Sequence, residues 1–131
     1  MQIGGLNLFQ ALADKMRWHQ ARQGVLAENI ANADTPGYLE RDLKAFSVAD
    51  APASAATLGL RATSPTHLAV SSASGGYATT SQAFEVTPSG NGVTLEDEMM
   101  KVAANDMDYQ AVTALYTRSL RIIKVALGRS A

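Results

Sequence analysis

The chain of 131 residues has no cysteine, which excludes disulfides and thiol chemistry. It does not identify the compartment, because many extracytoplasmic proteins also lack cysteine. Aromatic residues make up only 6% of the sequence and tryptophan occurs once, so large rings can supply little of a core. Charge of neither sign dominates: eleven Lys and Arg stand against twelve Asp and Glu. There is no basic footprint for nucleic acid and no acidic tail. No stretch approaches the roughly 18 apolar residues that a membrane span needs, so no direct membrane span is expected. Residues 1–9 lack a basic segment followed by an apolar run, so no cleavable secretion signal is expected either. Only two histidines occur, His19 and His67, and neither has neighbouring residues that would converge on a metal or a substrate. The acidic residues Glu96, Asp97, Glu98, Asp106 and Asp108 are spaced as solvated charge on a helix. The expectation is no enzyme, no cofactor, no metal and no small-molecule substrate.

What the sequence does have is apolar periodicity at both ends. Hydrophobic residues reach 47%, enough for one small core, although much of that is alanine. From about Asn7 to Asn32 the positions Phe9, Leu12, Met16, His19, Gln23, Leu26 and Ile30 step by three and four. This predicts a helix with a heptad seam, roughly 40 Å long at about 1.5 Å per residue. His19 and Gln23 are polar seam positions, the kind that fix register. Trp18 belongs to a core or interface, and Asp14, Lys15, Arg17, Arg22 and Glu28 read as a solvated face.

The helix is stopped by Asn29-Ile30-Ala31-Asn32-Ala33-Asp34-Thr35-Pro36-Gly37-Tyr38. Asn32, Asp34 and Thr35 compete for backbone hydrogen bonds, and Pro36 lacks an N–H. Thr35-Pro36-Gly37-Tyr38 suits a type II turn with Gly37 at the position that needs positive φ. Leu39–Phe46 leaves the turn as an extended segment or short helix. Residues 47–57 are small and Pro-interrupted, as in a linker. Weak strand signals at 57–63, 67–70, 77–80 and 84–87, separated by Ser64-Pro65-Thr66 and Ser74-Gly75-Gly76, favour one or two small hairpins that need a helix or another chain to pack on.

Pro88-Ser89-Gly90-Asn91-Gly92 is a second turn. Thr94 is placed to cap a helix with Asp97 reaching back, and three acids sit in the first turn where the helix dipole favours them. The heptad pattern then returns at Met99, Val102, Asp106, Tyr109, Thr113, Tyr116, Leu120, Ile123 and Leu127 until Gly128. A second apolar line through Val112, Leu115, Ile122 and Ala126 makes the stripe wider than a two-helix seam requires, so further helices should come from other subunits. The expected fold is mainly α, with long N- and C-terminal helices paired as an antiparallel coiled coil and a small irregular or β-hairpin middle segment. Residues 1–38, 39–92 and 93–131 form its three parts.

The ten residues 29–38 resemble the signature of the bacterial flagellar rod and hook family, Asn-x-Ala-Asn-x-x-Thr-Pro-Gly-Tyr after a long helix. Arg41-Asp42 resembles the pair that follows this turn in one branch. Residues 91–100 with Asp108-Tyr109-Gln110 are similar to the proximal-rod branch. Another short branch carries Ala-Ser-Arg-Ala-Tyr-Glu-Ala-Asn where this chain has Asn105-Asp106-Met107-Asp108-Tyr109-Gln110. The resemblance covers residues 8–46 and 88–128.

It implies a structural subunit of the periplasmic rod of the flagellar basal body, exported unfolded through the flagellar type III apparatus without a cleaved signal peptide. Partners would be copies of itself, other rod subunits and the inner-membrane ring or export gate at the rod base. The rod transmits torque for motility. The assembly residues implied are Phe9, Leu12, Met16, Leu26, Ile30, Asn32, Pro36, Gly37 and Tyr38, with Met99, Tyr109, Val112, Leu115, Tyr116, Leu120, Ile122 and Ile123. An export motif of Phe, three residues and a hydrophobic residue falls on Phe9 and Ala13. Alternatives are another short rod protein of the family, or a monomeric helical adaptor or export-associated module that would not associate with rising concentration.

Overall fold

The computed structural model describes residues 4–48, 76–81, 83 and 85–128. The expected strands at 57–63 and 67–70, and His67, lie outside the described residues. Helix α1 spans Gly4–Ala31 and helix α2 spans Leu95–Ala126, about 42 and 48 Å at the usual rise. They run antiparallel: Phe9 meets Tyr116 edge-on at 5.6 Å, His19 meets Asn105, and Asn29 meets Glu98. The mainly α expectation holds.

Helix α1 ends as its sequence requires. The Asn32 N–H donates to Glu28 O, and its side-chain amide donates to the same carbonyl at 2.8 Å, so one residue covers an end that would otherwise be open. Gly37 has φ +73° and Tyr38 N–H donates to Thr35 O at 3.3 Å, the geometry of a type II turn. At the far end Gly128, φ +68°, closes α2 with its N–H on Val125 O.

The segment leaving the turn is extended. Strand β1, Arg41–Leu43, pairs antiparallel with β2, Thr79–Ser81, in the register Arg41 to Ser81 and Leu43 to Thr79. The two strands are far apart in sequence, so this is not the local hairpin expected within 57–88, and residues 85–87 form no strand. A three-residue ladder is marginal by itself. It is held because Leu43 packs with Trp18 and Val25 of α1, with Ala21, Phe46 and Tyr77 around them. Trp18 also donates its indole N–H to Lys44 O at 3.0 Å. Arg22 and Glu28 are not a free solvated face: Arg22 makes a two-pronged ion pair with Asp42 at 2.9 and 2.7 Å and lies over the Trp18 ring, while Glu28 pairs with Arg41. The Arg41-Asp42 pair is thus what straps β1 to α1.

The two turns pack on each other backbone to backbone. Gly37 N–H donates to Ser89 O, Gly92 N–H donates to Tyr38 O, and Asn91 donates its amide to Asn32 O and Thr35 O. A Cβ on Gly37 would meet nothing, whereas one on Gly90, φ +83°, would stand 3.3 Å from the Gly37 Cα. Gly37→Ala should therefore cost about 1 kcal/mol of backbone strain alone. Gly90→Ala should cost distinctly more, because it also pushes the turns apart. Urea unfolding of the two variants checks this, with the larger fall in midpoint expected for Gly90→Ala.

Candidate functional site

The interface between the helices combines buried polar side chains with apolar ones such as Leu26 and Val112. On α2 the inward positions are Glu98, Val102, Asn105, Tyr109, Val112, Tyr116 and Ser119, alternating steps of four and three. The expected seam shared Val102, Tyr109 and Tyr116 with this line. Its other row was displaced by one residue: Met99 is 60% exposed, and Asp106 and Leu120 are exposed as well, while Ile123, which continues the shared row, is exposed near the end of α2. Val112, expected on the outer flank, is buried at 5% exposure inside the pair. Apolar preference chose Met99 over Glu98, but a polar residue can take a seam position when every hydrogen-bonding atom finds a partner.

Asn29 meets that condition. Its amide nitrogen donates to Arg41 O at 2.7 Å and Glu98 Oε2 at 2.8 Å, and its oxygen accepts from Tyr38 Oη and Arg41 N–H, both at 3.1 Å. Two donors and two lone pairs are all used, so the residue is buried without loss. Glu98 is fully buried rather than solvated, and its other oxygen accepts from Lys101 Nζ at 2.6 Å. Thr94 makes no side-chain cap bond to α2, contrary to expectation, and Glu98 points its charge into the fold. Sequence reasoning missed both Asn29 and Glu98 as seam residues. The only signal was that two groups rarely buried unpaired fall at interior spacing.

One layer along, Asn105 donates to His19 O at 2.9 Å and Gln23 Oε1 at 3.0 Å, which fixes its nitrogen. Its oxygen must then accept from His19 Nδ1 at 2.7 Å, so the imidazole carries its proton there. His19 and Gln23 act as register residues, as their seam positions suggested. Gln20, Asp106 and Tyr109 complete a shallow cleft beside them, with Gln20 donating to Tyr109 Oη at 3.2 Å.

Of the other expected assembly residues, Leu26 is fully buried, while Phe9, Leu12, Met16, Ile30, Asn32 and Tyr38 are half-buried. Pro36 and Gly37 are exposed at the turn, and Leu115 and Ile122 point outward at 55% and 62% exposure. Ala13 is half-buried one turn from Phe9. Among the described residues no group of His, Cys, Asp and Glu is placed to hold a metal, and no helix is long and apolar enough to cross a membrane.

Fold and site define a class: an α-helical protein of two long terminal helices whose turn motif is fastened to the foot of the second helix. A family model described as flagella basal body rod protein matches residues 16–38, the end of α1 and its turn. The flagellar basal body rod protein FlgB of Agrobacterium fabrum is 30% identical over 128 residues, covering 95% of each chain. That of Cereibacter sphaeroides is 37% identical over 113 residues, 82% of this chain and 84% of the relative. That of Aeromonas hydrophila is 33% identical over 90 residues, 68% of each. The chain belongs to the FlgB family of flagellar basal body rod proteins.

Asn29→Ala would leave Arg41 N–H and a Glu98 oxygen buried without a partner, at about 1–3 kcal/mol each. Asn105→Leu would strand His19 Nδ1 and Gln23 while adding apolar surface. The expected result is a large fall in thermal midpoint for Asn29→Ala, and for Asn105→Leu a smaller fall with broadened amide resonances along α1 as register is lost. Melting curves and NMR spectra of the full chain check both.

Proposed function

We propose that the chain is a structural subunit of the proximal flagellar rod that assembles with its own copies and other rod subunits, through its terminal helices, into the drive shaft transmitting torque in the periplasm. The observation that carries this reading is the outer side of α2. Met100, Met107, Leu115, Ile122 and Val125 are 55–65% exposed although the helix pair is complete on its other side. Beyond Leu120 no residue up to Gly128 is more than partly covered. A helix of this length, exposed all round over its last turns, gains most of its stability from packing, so it calls for neighbours. The relatives' shared description as basal body rod proteins supports the same reading and a non-enzymatic role.

In this reading the parts 1–38, 39–92 and 93–131 act as rod helix, middle region and rod helix. Leu115, Leu120, Ile122, Ile123 and Met99 meet neighbouring subunits. Pro36, Gly37 and Tyr38 contribute to assembly by setting the path of the chain beyond α1. Phe9 and Ala13 serve as an export signal in the unfolded chain; folded, Phe9 packs on Tyr116, which fits recognition before folding. The inner-membrane ring or export gate is a further partner at the rod base. An adaptor acting as a monomer would have no use for the uncovered stripe.

Two variants separate folding from assembly. Val112→Glu buries a charge in the helix pair and should prevent stable folding, at several kcal/mol. Leu115→Glu lies outside the pair and should leave the thermal midpoint of the soluble chain within about 0.5 kcal/mol of wild type. The same change should abolish recovery of complete basal bodies and motility. Complete rods built from the Leu115→Glu protein would remove the stripe from the interface.

A further inference from the structure

Where the foot of α2 meets the turn and β1, one lysine faces two buried carboxylates. Lys101 Nζ stands 2.6 Å from Glu98 Oε1 and 3.4 Å from Glu40 Oε2; Glu98 is 0% exposed and Glu40 9%. Among the described residues the other charged groups packed around them make their ion pairs elsewhere, although the charge of Arg22 also reaches Glu98. Arg22 of α1 is committed to Asp42 through both prongs, and Arg41 of β1 pairs with Glu28 of α1. Asn29 satisfies Glu98 Oε2 but carries no charge. Among the described residues, two carboxylates in this cluster thus share one directly paired ammonium.

We propose that this cluster is a proton-uptake latch: as the pH falls into the mildly acid range Glu40 takes up a proton, and the junction of α2 with the turn and β1 tightens. A buried carboxylate that shares its paired cation with a second carboxylate is stabilised by becoming neutral. A protonated Glu40 can also donate to a neighbouring oxygen, which the ionised form cannot. Glu40 is accordingly held above the ordinary glutamate range, first by burial. The charge of Lys101 opposes this, and the adjacent Glu98 reinforces it. Lys101 itself is raised: burial pulls it down, but the hydrogen bond and charge of Glu98 and the charge of Glu40 outweigh that, so it stays an ammonium throughout.

The sign follows from linkage. Between its raised folded value and the ordinary value of about 4.3, the folded chain holds a proton on Glu40 that the unfolded chain lacks. The stabilisation is complete below the ordinary value and is lost as the pH rises through the folded value.

The test compares full-length wild type with Glu40→Gln, an isosteric stand-in for the protonated acid. Urea unfolding is followed by the emission of Trp18, the single tryptophan, which is 8% exposed. At about pH 7.5 the variant should unfold at higher urea than wild type, and the gap should narrow as the pH falls and close below the ordinary glutamate value of about 4.3. Taking the difference cancels the titrating groups that do not interact with Glu40. A variant that is less stable than wild type at neutral pH, or a gap that does not change with pH, overturns the proposal. A second measurement is the carboxyl carbon shift of Glu40 in the labelled chain. It should titrate above the ordinary glutamate range, and a midpoint at or below that range overturns the proposal as well.

Discussion

The end of α1, the turn, β1 and the foot of α2 meet at the side-chain amide of Asn29. It sits in the last turn of α1, holds the backbone of β1 at Arg41 on both its N–H and C=O, takes the hydroxyl of Tyr38 from beyond the turn, and donates to Glu98 at the foot of α2. No other residue type of that size offers two donors and two acceptors in one plane. Helix, turn, strand and second helix are therefore tied together at a single saturated group, which the ion pairs and the other asparagines reinforce. The nearby apolar contacts among Trp18, Val25 and Leu43 pin β1 against α1 but have no comparable directional demand.

Two further asparagines repeat the device. Asn91 fastens the second turn beneath the first, with its nitrogen on Asn32 O and Thr35 O and its oxygen accepting Val93 N–H at 2.8 Å. Asn105 joins His19 and Gln23 across the middle of the helix pair. Buried amides contribute modest net stability, yet any displacement leaves several groups unpaired at once. The chain thus places its specificity inside the helix pair and leaves its apolar surface outside. That arrangement suits a subunit whose internal register must be fixed before its outer faces are covered.

The outer side of α2 and the polar inner side have different energetic roles. Burying the exposed Leu115, Ile122 and Val125 against other chains would gain on the order of 1.5–3 kcal/mol for each side chain fully covered. This is available only on association, whereas the amide network is complete within one chain. Other alignments of the two helices are disfavoured, because each would leave buried amides unpaired.

Much was legible in the sequence. Periodicity of three and four over residues 7–32 and 95–127 gave both helices, and Pro36, Gly37 and Gly128 gave their stops, because these signals are local and follow from backbone geometry. The antiparallel pairing followed from two long helices flanking a short middle. The Asn29–Tyr38 string carried the family. Tertiary structure alone decided which side of α2 faces inward: a pattern rule prefers Met99 to Glu98 and places Val112 outside, since it cannot see that Asn29 waits for the carboxylate across the interface and that Lys101 pairs with it from the next turn of α2. It alone paired Arg41–Leu43 with Thr79–Ser81, a partner remote in sequence that no turn signal announces. It also converted Arg22 and Glu28 from surface charges into straps for Asp42 and Arg41. Hydrophobicity is a property of each residue and can be read one position at a time; the cost of burying a polar group depends on its partners, and those exist only once the chain has folded.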